Sequence, residues 1–235
     1  MGSVRKKEVK LVSVVIPALN ENALKEVVLA IPQDNLKRMG FDVQVLVVVN
    51  SSEDKTAELA RKAGAEVVYE ARRGYGRACK AGFASATGNI IAVADADATY
   101  PVEDIPSLVK LLEDEKLDFI TTNRLVDIDE RAMSQRNRLG NRALSLMLKL
   151  LFRINIEDSQ SGMWVLRKSI LDELKLRSEG MSFSEELKVE ACYFTKRRWR
   201  EVPVRYRQRV GKTKLHFWSD GLRNLLYLVK KRFVR

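Results

Sequence analysis

Four short runs dense in Val and Ile, residues 11–17, 43–49, 65–69 and 89–95, alternate with stretches of helical apolar spacing at 22–31, 54–63, 76–86 and 102–115. Strands alternating with helices in this way predict a parallel sheet flanked by helices. The run VQVLVVV (43–49) is apolar almost without a break, as expected of a strand covered on both faces. A fifth strand is predicted over 117–121. Beyond it the pattern changes: 124–141 is polar and arginine-rich, reads as a mobile loop, and leads into a helix over 143–152, ALSLMLKLLF. The remainder predicts a strand over 162–168, helices near 169–176 and 183–195, a strand over 200–207 and an amphipathic helix from about 217 to 233.

In open α/β sheets, ligands collect beyond the carboxyl ends of the strands. Three polar clusters fall there: PALNEN (17–22), NSSEDKT (50–56) and DADATYP (95–101). Asp95 and Asp97, two apart in an extended segment, point to one side about 6.6 Å from each other. Carboxylates so placed repel unless a cation or a proton compensates. Oxygen ligands favour a hard ion, Mg2+ or Mn2+, which keeps waters and binds substrate phosphates. The plainer reading is a solvated turn with Asp97 capping the next helix. Asn20 with Glu21, and Asn50 through Ser52, add hydrogen-bonding groups suited to a base and a ribose. Asn20 and Ser52 are equally suited to helix capping.

The segments VSVVIPALNEN, VVNSSEDKT, RRGYGRACKAGFASATGNIIAVADADATYP and DSQSGMWVLRK together resemble the family 2 glycosyltransferases of the GT-A fold, in particular the dolichyl-phosphate mannose and glucose synthases. The resemblance runs in order over residues 11–215. It implies an α/β, Rossmann-like nucleotide-diphospho-sugar transferase fold with a mostly parallel sheet. It implies a catalytic domain over 1–215 and a basic amphipathic helix over 216–235. In this family the strand ends bind the nucleotide sugar, which implicates Pro17, Leu19, Glu21, Asn50, Asp95, Ala96, Asp97 and Thr99, and Asp95 and Asp97 hold the Mg2+ or Mn2+. Two departures leave the donor open between UDP and GDP sugars. The usual V-D-D-G-S-x-D-G-T is changed at Val49 and Asn50, with Ser52, Asp54 and Thr56 kept, and an asparagine donates as well as accepts. Ala98-Thr99-Tyr100 stand where mannose synthases read L-Q-H.

Gly74 and Gly76 open a segment of small residues, which suits close packing of a helix on the sheet, with Arg73 near enough to lean on a diphosphate. Arg124, Arg131, Arg136, Arg138 and Arg142 would, taken alone, be a solvated basic stretch. The resemblance makes it the receiver of a polyprenyl phosphate, gripped by Arg124 with Arg136, Arg138 and Asn141; guanidinium forks suit phosphate oxygens. RYRQRVGKTKL resembles the family's R-x(2-3)-G-x-S-K-L and implicates Arg209 and Lys214 as phosphate clamps. Ser182 and Glu185 fit a capping box at the start of helix 183–195. That role is preferred to a general base at Glu185 or Glu186, because a phosphate acceptor is already ionised.

Charge adds the last element. The 235 residues carry a net +11, and fourteen of the Lys and Arg lie from Lys196 onward, against only Glu201 and Asp220. Such a block points to phosphates or an anionic membrane surface, with nucleic acid ranked last. Phe217, Trp218, Leu222, Leu225, Leu226, Val229 and Phe233 share one helical face, with Arg223, Lys230 and Lys231 outside it, a pattern for a helix lying in the membrane interface. No apolar run reaches the roughly 18–20 residues of a membrane span. Cys79 and Cys192 have no metal-ligand spacing and read as reduced, buried residues of a cytoplasmic protein. The expectation is an inverting, metal-dependent transferase moving a hexose from a nucleotide diphosphate sugar to polyprenyl or dolichyl phosphate. It would sit at the cytoplasmic membrane face, with a membrane-anchoring subunit as a possible partner. The alternatives are a soluble phosphorylated acceptor and a non-catalytic nucleic-acid-binding protein.

Overall fold

Apolar residues that alternate in face along β1 (Lys10–Ala18) set the architecture. Val12, Val14 and Ile16 enter one core, and Val15 enters another on the opposite side of the sheet. The computed structural model describes residues 10–50, 55–211 and 217–234. After β1 come α1 (Leu24–Ala30), α2 (Gln33–Arg38), β2 (Phe41–Val49), α3 (Thr56–Lys62), β3 (Glu66–Tyr69), α4 (Tyr75–Ser85) and β4 (Ile90–Val93). Then follow α5 (Ile105–Asp114), β5 (Phe119–Ile128), α6 (Gln135–Phe152), β6 (Trp164–Arg167), α7 (Phe183–Val189), β7 (Trp199–Tyr206) and α8 (Phe217–Phe233).

The seven strands form one sheet in the order β3-β2-β1-β4-β6-β5-β7. Only β6 runs against its neighbours, β4 and β5; the other pairings are parallel. From β1 the chain walks outward through β2 and β3, then returns to place β4 on the other side of β1. The order therefore reverses between β1 and β4, and the crevice above that reversal is where an open sheet binds a ligand. Helix α4 lies close over β1 because Gly82 has no side chain: a Cβ there would fall 2.3 Å from Val15 Cγ1.

Several elements differ from expectation, each for a local reason. Helix α2 was not anticipated; Pro32 interrupts the path of α1, and the chain restarts a short helix from it. The expected helix at 169–176 is a 3-10 turn, Lys168–Glu173. The expected helix at 183–195 is α-helical only to Val189 and continues as a π turn, Glu190–Phe194. The largest correction concerns 124–141. This is not one mobile loop: β5 runs on to Ile128 through pairing with β7, and α6 starts at Gln135, where Ser134 Oγ accepts the Asn137 N–H at 3.2 Å. Arg136, Arg138 and Asn141 thus stand on the first turns of a helix.

Helix α8 has two faces. Leu228 is fully buried in a third core with Leu148 and Phe152 of α6. Asn224 donates to Gln160 Oε1 at 2.8 Å. Lys231, expected outside, is buried and ion-paired with Glu190 at 2.6 Å and Glu186 at 3.1 Å. The opposite face leaves Leu222, Leu226, Val229 and Phe233 exposed. Replacing Leu228 by Ala should therefore lower the unfolding free energy by about 2–4 kcal/mol, as for a core leucine. Leu226→Ala, on the exposed face, should change it by less than about 0.5 kcal/mol. Denaturant titration of the two variants checks the pair.

Candidate active site

The carboxyl ends of β1, β4 and β7 converge on one crevice. From β4 the chain carries Asp95 and Asp97, the latter only 4% exposed. Asp97 Oδ1 accepts the backbone N–H of Thr99 at 3.1 Å and its hydroxyl at 2.6 Å. This tight turn puts Ala98 in the left-handed region at φ +63°, a conformation disfavoured for a residue with a Cβ and characteristic of functional sites. Asp97 Oδ2 meets Arg209 Nη1 at 2.8 Å, and Arg209 Nη2 reaches Glu21 Oε1 at 2.6 Å. Asp97, Glu21 and Arg209, predicted separately from three motifs, thus form one charged chain across the crevice. The backbone follows suit: the Arg207 N–H donates to Thr99 O and the Val210 N–H to Asp97 O.

Asp95 receives the hydroxyl of Tyr75, at the start of α4, at 3.2 Å on Oδ1. Its Oδ2 faces Gly162, where a Cβ would come within 3.2 Å. Burial first, and Asp97 next, push the Asp95 carboxyl up to about 7, against the pull of Arg124. The pair is thus short of positive charge, and the space beside it exists because position 162 has no side chain. Among the described residues no three His, Cys, Asp or Glu side chains gather as a metal ligand set. Two carboxylates with room for outside oxygens suit Mg2+ or Mn2+ completed by water and phosphate.

The segment holding Gly162 in place is pinned from below. Lys188, fully buried, donates to Ser159 O and Ser161 O at 2.7 Å each, and Ser184 Oγ donates to Ser161 O at 2.7 Å. Tyr100 Oη accepts the Gly162 N–H at 2.6 Å while its ring packs edge-on against Tyr206. Tyr75, Tyr100 and Gly162 were missed as site residues from the sequence, although Tyr100 belongs to the DADATYP cluster and Gly162 ends DSQSG.

Other predicted residues take different places. Arg124 is buried, and its fork closes on Asp158 with bonds of 2.7 and 2.8 Å, while its N–H donates to the same carboxylate at 2.9 Å. Burial opposes both charges, but their attraction holds the Asp158 carboxyl below its ordinary range. The acceptor-phosphate role expected of Arg124 is corrected accordingly: that fork is already engaged, and Arg124 acts on the site through its field at Asp95. Pro17 and Leu19 are half-buried at the end of β1, and Ala96 and Thr99 are buried in the turn beside Asp97. Asn50 is buried, with Nδ2 donating to Arg72 O at 3.1 Å. Arg136 is exposed and Arg138 half-buried on α6, and Asn141 Nδ2 rests against the Met133 sulfur. Ser52, Asp54 and Lys214 lie outside the described residues. The capping box at Ser182 does not form: Ser182 Oγ pairs with Ser178 Oγ, and Glu185 is drawn inward to accept from Gln160.

Residues 13–175 match the Glycosyl transferase family 2. The chain belongs to that family. The transferase is 32% identical over 176 residues to a dolichyl-phosphate hexose transferase of Haloferax volcanii, spanning 75% of each chain. It is 31% identical to the low-salt glycan biosynthesis hexosyltransferase Agl6 of the same organism, over 92% of this chain but 52% of that one. Among solved structures, glucosyl-3-phosphoglycerate synthase of Mycobacterium tuberculosis in complex with Mn2+, UDP-glucose and phosphoglyceric acid superposes with a TM-score of 0.74 at 21% identity, over 95% of this chain and 79% of that one. The same synthase with Mg2+ and UDP gives a TM-score of 0.71. These neighbours show that the transferase has the GT-A fold, in proteins that hold Mn2+ or Mg2+ with the nucleotide.

Glu185 gives a pH test of the packing behind the site. Fully buried, its carboxyl is pushed up to about 8 by desolvation, despite the Gln160 hydrogen bond and nearby Lys188. A carboxyl raised on folding contributes stability that is complete below its unfolded value near 4.5 and is lost as pH rises through 8. Glu185→Gln removes that loss, so the variant should gain on the wild type between pH 5 and pH 9, by about 5 °C in Tm. Thermal melts across that range measure it.

Proposed function

We propose that the transferase moves one hexose, with inversion, from a UDP- or GDP-sugar to polyprenyl (dolichyl) phosphate at an anionic membrane surface. The observation that carries this reading is the surface built by α6 and α8. Helix α6 bears Arg136, Arg138, Arg142 and Lys149 with no acidic residue, and exposes Leu139, Leu146 and Leu150. Leu150 and Phe233 of α8 line one shallow cavity together with Arg153 and Arg232. Between β5 and α6 a groove of about 430 Å³ has Leu125, Val126 and Leu146 beside Arg142 and Lys149, with Glu157 as an acidic member of the lining. Apolar floor and basic rim are the two requirements of an isoprenoid phosphate. The dolichyl-phosphate hexose transferase named above supports the same acceptor class.

In this reading residues 1–215 form the catalytic domain and 216–235 a helix that lies on the membrane. No described helix is long and apolar enough to cross one. Asp95 and Asp97 would hold Mg2+ or Mn2+, whose positive charge neutralises the departing nucleoside diphosphate. Pro17, Leu19, Glu21, Asn50, Ala96 and Thr99 line the donor side. Arg136, Arg138 and Asn141 orient the acceptor so that a phosphate oxygen attacks the anomeric carbon as the bond to the diphosphate breaks on the opposite face. That oxygen is already ionised, so the step needs no base, and protonated Glu185 is left to structure. Arg209 and Lys214 complete the electrostatic surround.

Polyprenyl phosphate incubated with a panel of UDP- and GDP-sugars and Mn2+ should yield one glycolipid. Asp97→Ala should slow its formation at least ~100-fold at saturating metal, the scale of one lost transition-state contact. Transfer to a water-soluble phosphorylated acceptor with no lipid present would overturn the acceptor assignment. The membrane assignment has its own measurement. Sedimentation with vesicles rich in phosphatidylglycerol should be lost in the Leu226→Asp, Phe233→Asp double variant, whose positions are 59% and 79% exposed. In the wild type it should weaken with added salt.

A further inference from the structure

We propose that Arg209 is the counter-charge of Asp97 in the metal-free transferase and passes to the donor diphosphate when a divalent cation takes Asp97, so that cation and donor bind as a coupled pair. The inference rests on reading Asp95 and Asp97 as the cation site.

Three observations carry it. First, the two oxygens of Asp97 are divided: Oδ1 is held by Thr99, N–H and hydroxyl together, while Oδ2 faces Arg209 Nη1 at 2.8 Å. With Oδ1 engaged twice, Oδ2 is the oxygen left for a cation, and it is the one the guanidinium covers. Second, Arg209 Nε is buried without a hydrogen-bond partner in this arrangement. A guanidinium offers five donors in a fixed fork, and here the fork is stretched between Asp97 and Glu21 with the Nε donor left unused. A phosphate oxygen would accept from it in the usual two-bonded geometry. Third, the backbone around Arg209 is fastened independently of its side chain. The Arg207 N–H holds Thr99 O at 2.9 Å and the Val210 N–H holds Asp97 O at 3.1 Å. The side chain, one quarter exposed, can change partners while the strand-end register stays as it is.

The electrostatic consequence follows from placement. A divalent ion held by Asp95 and Asp97 would share a carboxylate with the guanidinium, where partial burial leaves their repulsion weakly screened. The ion alone would therefore bind against Arg209, which stays tethered to Glu21. The donor diphosphate removes the conflict twice, by ligating the ion and by accepting the guanidinium. Coupling of this kind is reciprocal: each ligand raises the affinity for the other by the same factor.

The test is Mn2+ binding to the full chain, followed by electron paramagnetic resonance of the free ion, with and without UDP or GDP. In the wild type, the nucleotide that binds should tighten Mn2+ at least about fivefold, the lower end of typical coupling. Arg209→Gln should bind Mn2+ alone about tenfold more tightly than the wild type and lose most of the nucleotide-dependent gain. Arg209→Lys, which keeps the charge, should stay close to the wild type for Mn2+ alone. Mn2+ binding by Arg209→Gln that is unchanged or weaker, or a wild type in which UDP and GDP leave Mn2+ affinity untouched, would overturn the handover. Asp97→Asn separates this from the underlying site: it should abolish Mn2+ binding, and wild-type affinity in that variant would instead remove the cation assignment itself.

Discussion

Two carboxylates held side by side at the end of a strand buried on both faces create a local excess of negative charge that the rest of the site is arranged around. Strand β4 is fully buried between two cores, so the turn after it cannot move its acidic residues out to water. Repulsion between Asp95 and Asp97 then has to be met locally. Thr99 and Arg209 meet it at Asp97, and Tyr75 meets part of it at Asp95. The left-handed backbone of Ala98 is the geometric cost of bringing Thr99 back onto the carboxylate. A cation would satisfy the remainder, which is why a charge-poor pair beside an empty-sided glycine reads as a binding site and not as a defect of folding.

A second layer of buried and half-buried polar groups keeps that pair in place. Arg124 and Asp158 close a bidentate ion pair, Lys188 pins the carbonyls of Ser159 and Ser161, and Glu201 accepts the N–H groups of Glu157 and Asp158. Arg124 and Asp158 are each costly to bury alone, so removing either is more damaging than removing both. The product of this arrangement is positional: the segment from Asp158 to Gly162 cannot drift away from Asp95. Helix α8 joins the same network through Asn224 on Gln160 and Lys231 on Glu186 and Glu190. The tail is therefore part of the support of the site as well as the bearer of an exposed apolar face.

The strands, their alternation with helices and the strand-end clusters were all legible from residue order. Val, Ile and Leu in unbroken runs have few other uses than a doubly covered strand, and two carboxylates at such a strand's end mark a polar cluster there, although β4 ends at Val93 and the pair lies in the turn beyond it, not in an extended segment. Asp97, Glu21 and Arg209 could each be picked out by motif, but their meeting could not. The failures have a common cause. Arg124 read as a phosphate ligand because its partner, Asp158, is 34 residues away and reaches it only when β5 and the segment before β6 come together. Lys231 read as solvent-facing because the acidic pocket that receives it belongs to another helix. The stretch 124–141 read as a loop because polar residues on an exposed helix carry no apolar period to reveal it, and β5 extends there only through pairing with β7.

The sequence by itself determined the fold class and the residue types gathered at the strand ends, because those depend on local periodicity and on chain direction; the reversal of strand order between β1 and β4 came from the tertiary structure. Only the tertiary structure decided which charges are spent on one another and which remain available to a ligand. Ion pairing is a property of distance in space at low dielectric, and no spacing along the chain encodes it. Thus Arg124 and Arg209, alike in sequence as basic residues following strands, part company in the fold: the first is committed to a buried aspartate, and the second stands at the mouth of the site on a carboxylate that another cation can claim.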